Sequence, residues 1–284
     1  MDEKIVIAET CIGCGRCVRV CPSKVIESGR AGHPVATHLR RCISCGHCVA
    51  ICPTGAFLHA DFPPERVHGF SRGELPSPEV LMTLMKARRS NRALSAEPVP
   101  REALERIVEA AHRAPTASNG RGVHFTVVVS PEEVRSLSLF TLEVFGRAAR
   151  MLENPLVRFW LKPLKPHLYD YLPVLKRLQR EFDAGNDQIM RGATAALLIH
   201  SPEGSSMPAD NANLAYQNGS LMAEALGVSQ FYMGFVCNAV RMSKGRLEKR
   251  LGIGGTIHAA MALGMPALRF DNYVDRDPAC VDWR

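Results

Sequence analysis

The stretch CIGCGRCVRVCP occupies residues 11–22, and a related stretch, CISCGHCVAICP, occupies residues 42–53. Both copies have the spacing Cys-x2-Cys-x2-Cys-x3-Cys-Pro, and each cysteine of the first copy has a counterpart 31 residues later. The pattern is therefore an internal duplication. Because eight of the ten cysteines lie in this short region, the 284 residues do not form one uniform domain.

The cysteine spacing predicts two [4Fe–4S] clusters, since two-residue gaps let three thiolates converge from one tight loop. Gly13, Gly15 and Gly46 would let the backbone wrap closely around the inorganic cores. We expect the fourth cysteine of each copy to begin a short helix, with the next proline at the first helical position, and to bind the other copy's cluster. The predicted ligands are Cys11, Cys14, Cys17 and Cys52 for one cluster, and Cys42, Cys45, Cys48 and Cys21 for the second.

Zinc binding and disulfides are the alternatives to iron–sulfur clusters. Zinc sites commonly join two Cys-x2-Cys hooks across a longer loop, and this repeat fits that arrangement poorly. A domain of about 60 residues is small for a stable core, so the clusters would also hold it folded. The apolar residues expected to pack around them are Val18, Val20, Val25, Ile43, Val49 and Ile51. Residues 1–60 resemble a bacterial-type two-cluster ferredoxin, which implies one-electron transfer.

The rest of the chain is predicted to be a linker followed by a larger domain. Residues 61–78 contain four prolines and two glycines, a composition typical of a semi-rigid linker, so we place a linker at 61–77 and a second domain at 78–284. Helices are predicted from residue 78 and over about 100–114, 209–226 and 243–251, and strands over 124–129, 195–199, 230–233 and 258–264. Helices outweigh strands in a mixed order, which predicts the α+β class. Residues 150–186, rich in bulky aromatics and cations, are predicted to be an insertion or lid.

Four motifs in the second domain occur in a defined order. They are RRSNR at residues 88–92, APTASN at 114–119, AEALGVSQFYMG at 223–234 and LGMP at 263–266. Each motif alone is a weak signal, and the four together resemble the nitroreductase family of flavoproteins over residues 78 to about 282. The resemblance implies an FMN-binding α+β sandwich that assembles as a homodimer, with FMN at the subunit interface.

The first motif carries most of the flavin contacts that the resemblance implies. Arg88 and Ser90 match the positions that contact the flavin phosphate and ribityl chain, and Arg89 would contribute beside them. Arg92 matches the cation near flavin N1 and O2. Reduction places negative charge on that edge, and a cation held there stabilises it.

The other motifs supply the remaining implied contacts. Asn119 matches the amide that contacts the pyrimidine edge of the flavin. Met233 and Gly234 match the segment whose backbone faces N5, and Arg276 is similar to a late basic residue that pairs with the phosphate. The chain departs from the family pattern at Arg121, which replaces an amide, so the hydrogen bonds at that flavin edge are left open.

No side chain is clearly marked as catalytic, because the flavin itself would carry the chemistry. The aromatic residues include three candidate proton donors, Tyr169, Tyr171 and Tyr232. The glycines at 252–255 lack a full dinucleotide-binding pattern and are predicted to form a turn.

These features together predict an iron–sulfur flavoprotein oxidoreductase. Electrons would pass from the two clusters to FMN, and its N5 would deliver hydride to a small electrophile such as a nitroaromatic, a quinone or an activated alkene. Reduced ferredoxin or another low-potential donor is expected, and NAD(P)H is left open because some members of the family use it without a separate nucleotide domain. The alternative is an electron-transfer module that delivers electrons to a partner protein. A redox sensor is disfavoured because the sequence has no DNA-binding motif.

The formal net charge of +7 would suit nucleic acid or a membrane surface as a partner. Two clusters that carry about −2 each with their thiolates, and an FMN phosphate of about −2, would bring the holoprotein near +1. We therefore expect neither partner. No run of 18 apolar residues occurs, and residues 1–8 do not resemble a secretion signal, so we expect a cytoplasmic protein.

Overall fold

The computed structural model describes residues 4–284, the side chain of Ala31 excepted, and contains two compact units. The first unit comprises Met1–Pro76 and Ser118–Gly120, and the second comprises Ser77–Ala117 and Arg121–Arg284. Residues 1–3, which open the predicted domain 1–60, lie outside the described residues. The predicted linker groups with the first unit as far as Pro76, and it contains two 3-10 helices, Pro64–Arg66 and Arg72–Glu74.

The first unit is built from two small antiparallel sheets and two short helices. Strand β1 (Ile5–Ile7) pairs with β4 (Phe57–His59), and β2 (Ile26–Ser28) pairs with β3 (Pro34–Ala36). The helices are α1 (Arg16–Val20) and α2 (His47–Ala50), with 3-10 turns at Arg30–Gly32 and Leu39–Arg41. Val25 and Phe57 are buried in the core of this unit. Ile51 was predicted to pack there as well, but it is 39% exposed.

The prediction that the fourth cysteine begins a helix is wrong, because each helix lies before it. Helix α1 starts after Gly15, whose φ is +67°, and ends before Cys21. Cys21 is extended, with φ −70° and ψ 109°, since the proline that follows disfavours the helical conformation. The second copy repeats the arrangement: Gly46, with φ +75°, precedes α2, and Cys52 follows it.

The second unit is organised around a four-stranded antiparallel sheet in the order β5-β6-β8-β7. Its strands are β5 (His124–Val128), β6 (Ala195–Ser201), β7 (Ser229–Tyr232) and β8 (Thr256–Gly264). Every residue of β6 is buried. Successive side chains of a strand point to opposite faces, so both faces of this sheet must be covered.

Helices cover the two faces of the sheet as separate layers. Leu197 of β6 and Met261 of β8 pack with α4 (Arg101–His112) and α9 (Pro208–Ala225) on one face. Leu198 and Ala260 pack with α5 (Pro131–Glu153) and α10 (Gly234–Ser243) on the other. The structure thus confirms the predicted α+β sandwich. The remaining helices are α3 (Pro78–Ala87), α6 (Pro155–Leu164), α7 (His167–Asp170), α8 (Leu172–Asp183) and α11 (Arg246–Leu251), and Ala117–Asn119 is a 3-10 turn.

The helix predicted near 243–251 is wrong in extent, because two helices occupy this part of the chain. Helix α10 ends at Ser243, Lys244 and Gly245 adopt positive φ of 49° and 79°, and α11 begins at Arg246. A left-handed pair of residues cannot continue a right-handed helix, so the break is built into the backbone.

The segment 150–186 is helical and falls into two parts. Leu178 of α8 is buried in the core beside α5. Helix α6, by contrast, leaves Leu156, Phe159, Trp160 and Leu164 at least 70% exposed. Among the described residues, no helix is both long enough and apolar enough to cross a bilayer.

Candidate functional site

The predicted cysteine sets surround two separate cavities in the first unit. One cavity is lined by Cys11, Cys14, Cys17 and Cys52, and the other by Cys21, Cys42, Cys45 and Cys48. Each cavity therefore draws its fourth cysteine from the other copy of the repeat. Within residues 4–284, no three His, Cys, Asp or Glu side chains are placed to hold a single metal ion. A cubane spreads its four sulfur ligands around a larger core, so four thiols lining a cavity fit a [4Fe–4S] cluster.

The surroundings of the thiols are mostly apolar. Burial raises the pKa of Cys17, and it raises the pKa of Cys48 to about 11. For Cys52 burial acts in the same direction, but hydrogen bonds from Thr54, Phe57 and neighbouring backbone lower its pKa overall. Buried thiolates need a compensating positive charge, which the iron ions of a cluster would supply.

His59 is a neighbour of one cavity that the sequence patterns do not predict. Its ring is buried, and its Nδ1 accepts a hydrogen bond from the Asp61 backbone N–H at 3.1 Å. In a neutral imidazole the proton then lies on Nε2, which faces Cys42 Sγ at 3.5 Å. His59 can therefore donate a hydrogen bond to a predicted cluster ligand.

In the second unit, the segment 88–92 runs beside β7. Ser90 forms a parallel bridge with Gln230, whose side-chain amide donates to the Arg89 carbonyl at 3.2 Å. The buried Asn91 side chain donates to Ser229 Oγ and to the Leu268 carbonyl, both at 2.8 Å. These bonds hold the segment extended, so that alternate side chains point to opposite sides.

The two sides of this segment face two different cavities. Arg89 and Asn91 line a cavity of about 190 Å³ with Arg269, here termed the Arg89 cavity. Arg92 lines a cavity of about 340 Å³ with Met233 and Gly234, here termed the Met233 cavity. The first motif is thus divided between two sites.

Arg88 lies on the Arg92 side of the segment. Burial raises the pKa of the Tyr216 phenol, and the Arg88 and Arg92 guanidinium groups both oppose that effect. Tyr216 in turn packs edge-on against Tyr232, with 4.9 Å between ring centroids, and Tyr232 lines the Met233 cavity. The structure therefore brings Arg88, Arg92 and the Met233 segment to one side of β7.

The Met233 cavity is rich in hydrogen-bond donors and positive charge. Helix α10 begins at its wall with Gly234, and no side chain caps that helix end. Arg92 and Arg191 also line it, and none of the described Asp or Glu residues does. Such a donor set fits an anionic or electron-accepting ligand.

The tyrosine candidates are not equivalent. Tyr232 lines the Met233 cavity, its hydroxyl approaches the His258 carbonyl at 3.5 Å, and burial raises its pKa to about 12. Tyr169 and Tyr171 do not line this cavity. The Tyr169 hydroxyl is buried with no hydrogen-bond partner among the described residues, and Tyr171 is 63% exposed.

The other predicted contacts lie in irregular segments. Asn119 groups with the first unit, where its amide donates to the carbonyls of Ile43 (2.9 Å) and Ser44 (2.8 Å). Arg121 follows with φ +50°, and its backbone N–H donates to Thr116 Oγ1. Arg276 is exposed in the C-terminal segment.

The sequence patterns do not predict Gln188 and Arg191, which line the Met233 cavity, or Arg269, which lines the Arg89 cavity. All three lie in loops outside the four motifs. Their positions depend on how the loops pack against the sheet, and no local spacing marks them.

The fold and the Met233 cavity define an α+β protein whose arginine-lined site sits beside an antiparallel sheet. The model of the Nitroreductase family matches residues 85–265, more than half of the chain, and the chain belongs to this family. The model of the 4Fe-4S dicluster domain matches residues 3–53, so the ferredoxin-type unit is joined to it as predicted.

Solved structures share the fold of the second unit at low sequence identity. A nitroreductase with bound FMN from Bacteroides fragilis NCTC 9343 is 18% identical, covers 72% of this chain and 98% of its own, and has a TM-score of 0.51. A nitroreductase with bound FMN from Desulfitobacterium hafniense DCB-2 is 18% identical, with 71% and 97% coverage and a TM-score of 0.53. A BluB-like flavoprotein from Clostridium difficile 630 is 16% identical, with 72% and 99% coverage and a TM-score of 0.53. A comparison with curated proteins found no match.

Proposed function

We propose that this chain is an iron–sulfur flavoprotein reductase that takes electrons through two [4Fe–4S] clusters and uses them at FMN to reduce a small electrophilic acceptor. The observation that carries the proposal is the presence, in one chain, of two four-cysteine cavities and an arginine-lined cavity in a nitroreductase-family unit. A protein could have the cysteine cavities without the arginine-lined cavity, or the reverse, so their presence in one chain supports a linked function.

The cluster assignment is supported by the two cysteine sets. Cys11, Cys14, Cys17 and Cys52 would hold one cluster, and Cys21, Cys42, Cys45 and Cys48 the other. The clusters supply one-electron transfer when bound. His59 would donate a hydrogen bond toward Cys42 Sγ, and the Val25 backbone N–H donates to Cys21 Sγ at 3.3 Å.

The flavin assignment is supported by the placement of positive charge near the Met233 cavity. Arg92 lines this cavity with Met233 and Gly234, and Arg88 lies on the same side of β7. FMN, when bound, supplies the step from single electrons to two-electron chemistry. Ser90 would contribute its hydroxyl from the same extended segment. The positive charge of Arg92 would stabilise negative charge that develops on a ligand in this cavity.

The remaining proposed flavin ligands are Arg89, Asn119 and Arg276. Arg89 lines the Arg89 cavity rather than the Met233 cavity. Arg276 follows Asp275, whose carboxylate pairs with Lys86 at 3.0 Å, two residues before Arg88. This contact brings the C-terminal segment to the start of the first motif and supports a phosphate-binding role for Arg276.

Tyr232 is the tyrosine that the geometry favours as a proton donor. Burial raises its pKa to about 12, which makes the phenol a weaker acid than an ordinary tyrosine, so the assignment rests on its place in the cavity wall. Tyr169 and Tyr171 do not line the Met233 cavity, so we assign them no chemical role.

We further propose that the chain acts as a homodimer. Helix α3 leaves Val80, Met82 and Met85 between 46% and 62% exposed, and Val274 and Trp283 of the C-terminal segment are exposed by 75% and 90%. Exposed apolar surface of this extent is typical of an interface. A second copy of the chain, which the family resemblance implies, would cover it.

Anaerobic stopped-flow spectroscopy tests the proposed reaction. Photoreduced or dithionite-reduced holoprotein is mixed with a nitroarene, a quinone and an activated alkene, and flavin reoxidation is followed. We expect at least one small acceptor to reoxidise the flavin far faster than buffer alone. If none of the small acceptors does so, the alternative of an electron-transfer module that serves a partner protein is favoured instead. Reduced ferredoxin and NAD(P)H are compared as donors in the same apparatus, and ferredoxin is expected to be the faster.

A further inference from the structure

Arg191 is a second cation in the Met233 cavity that the flavin assignment does not use. We propose that Arg191 binds the carboxylate of the acceptor, so that the substrates of this enzyme are unsaturated or aromatic carboxylates rather than neutral molecules. The inference rests on the proposed function, because it names the acceptor class of the same cavity. In this proposal Arg92 interacts with the flavin, and Arg191 interacts with the acceptor.

The loop before β6 holds Arg191 in place. Asp187 Oδ1 accepts hydrogen bonds from the backbone N–H groups of Ile189 (2.7 Å) and Met190 (3.0 Å), and its Oδ2 accepts from Ser138 Oγ at 2.6 Å. Ile189 and Met190 are both buried. The Arg191 backbone N–H donates to the Asp187 carbonyl at 3.0 Å, so the backbone that carries the guanidinium is tied to the protein core.

The charges around Arg191 favour an anion. Burial lowers the pKa of Arg191, the guanidinium groups of Arg92 and Arg177 lower it further, and Asp187 only partly opposes them. Among the described residues, neither Arg92 nor Arg191 forms an ion pair with a carboxylate. Two like charges held in one cavity repel each other, and an anion placed there relieves the repulsion.

The rest of the cavity wall indicates what the anion is attached to. Phe231, Tyr232 and Phe235 supply aromatic surface, and Gln188 and Asn238 supply neutral amides. A planar unsaturated group would pack on the aromatic surface while its carboxylate meets the cation. A compact inorganic anion would leave that surface uncovered.

The inference is tested by equilibrium binding to the oxidised holoprotein, using benzoate and its neutral counterpart benzamide as probes. The flavin absorbance difference spectrum or calorimetry gives each dissociation constant. We expect benzoate to bind wild type at least about tenfold more tightly than benzamide. Arg191→Gln should bring the two constants within about twofold, and Arg191→Lys should keep most of the preference. Arg180→Gln, the same charge change on the exposed face of α8, is the matched control and should behave as wild type.

Three results would overturn the inference: no benzoate preference in wild type, an unchanged preference in Arg191→Gln, or a loss of FMN affinity in that variant with the preference intact. The last result would show that Arg191 serves the flavin. The binding measurement is independent of turnover. If benzoate is preferred but no acceptor is reduced, the proposed function fails and the anion subsite stands; if acceptors are reduced without any preference, the subsite fails and the function stands.

Discussion

Asn91 shows how one buried amide positions charged neighbours. Its side chain donates two hydrogen bonds, to Ser229 Oγ and the Leu268 carbonyl, and accepts one from the Ala93 backbone N–H at 3.0 Å. A fully satisfied buried amide is costly to displace, because moving it would leave several polar groups unpaired. The arginines on either side of Asn91 are therefore presented by a rigid segment.

The Arg92 side chain is expected to support FMN binding or flavin reduction. Arg92→Ala should lower FMN occupancy, or lower the flavin midpoint potential by about 30 mV for each tenfold loss of stabilisation of the two-electron reduced state. FMN content and a spectroelectrochemical titration measure the two quantities. Arg101→Ala, which removes an exposed cation from α4, is the control. Unchanged occupancy together with an unchanged potential would remove Arg92 from the flavin site.

His59 is expected to raise the reduction potential of the neighbouring cluster. Its Nε2–H faces Cys42 Sγ, and a hydrogen bond to a ligand sulfur stabilises the more negative, reduced cluster. His59→Leu should lower the potential of the cluster held by Cys42 by roughly 40 mV, the equivalent of about 1 kcal/mol for one electron. An EPR-monitored redox titration reports both clusters, so the other cluster serves as an internal reference. His68→Leu, an exposed histidine of the same unit, should leave both potentials in place. Equal shifts of both clusters would contradict a local hydrogen bond.

At the scale of elements, the close approach of β6 and β8 depends on Gly255. Its φ is 128°, and a Cβ there would lie 2.3 Å from the Ser201 carbonyl oxygen, which is backbone and cannot give way. Gly255→Ala should destabilise the second unit by about 2 kcal/mol or more, from the clash and the strained φ together. The melting temperature of the unit measures the loss.

Gly254→Ala is the matched control for that change. A Cβ at Gly254 would meet no described atom within 4 Å. The neighbouring substitution should therefore shift the melting temperature much less. Equal losses in the two variants would mean that flexibility of the turn, and not the contact with Ser201, sets the stability.

A local signal at the helix start made some elements predictable from sequence, but such a signal was not always used. Ser77 precedes Pro78 and caps α3 by accepting from the Val80 N–H at 3.3 Å, and a helix was predicted from residue 78. Helix α10 has no side-chain cap and begins with a glycine, so nothing local marks its start. Helix α5 was also missed, although Ser130-Pro131 has the same kind of signal and Ser130 does accept from the Glu133 N–H.

The same distinction applies to the candidate site. The cysteine sets could be predicted because cluster ligation depends on spacing within 12-residue copies of one motif. The division of Arg89 and Arg92 between two cavities follows from the pairing of Ser90 with β7, which is a tertiary contact. Arg191 and His59 face their sites only because distant segments fold against each other. Single-sequence patterns carry no signal for such contacts.

At the scale of the whole molecule, the charge balance and the two-unit organisation are consistent with one function. The basic excess of +7 includes Arg88, Arg92 and Arg191, which surround sites proposed for anionic ligands. The cysteines are concentrated in the first unit, and the arginine-lined cavities lie in the second. Each unit thus carries its own class of cofactor site, which is what a chain that converts single electrons into pairs requires.

Electrons are proposed to reach the flavin through the clusters. Anaerobic stopped-flow reduction of the holoprotein by reduced ferredoxin, with samples freeze-quenched for EPR, tests this electron path. In wild type we expect reduced [4Fe–4S] signals to appear before the flavin bleaches. Cys48→Ser should slow flavin reduction by roughly tenfold or more while FMN content is retained, and Cys280→Ser, at an exposed cysteine outside both cavities, should not. If no iron–sulfur signal appears and Cys48→Ser reduces its flavin as fast as wild type, the relay does not exist.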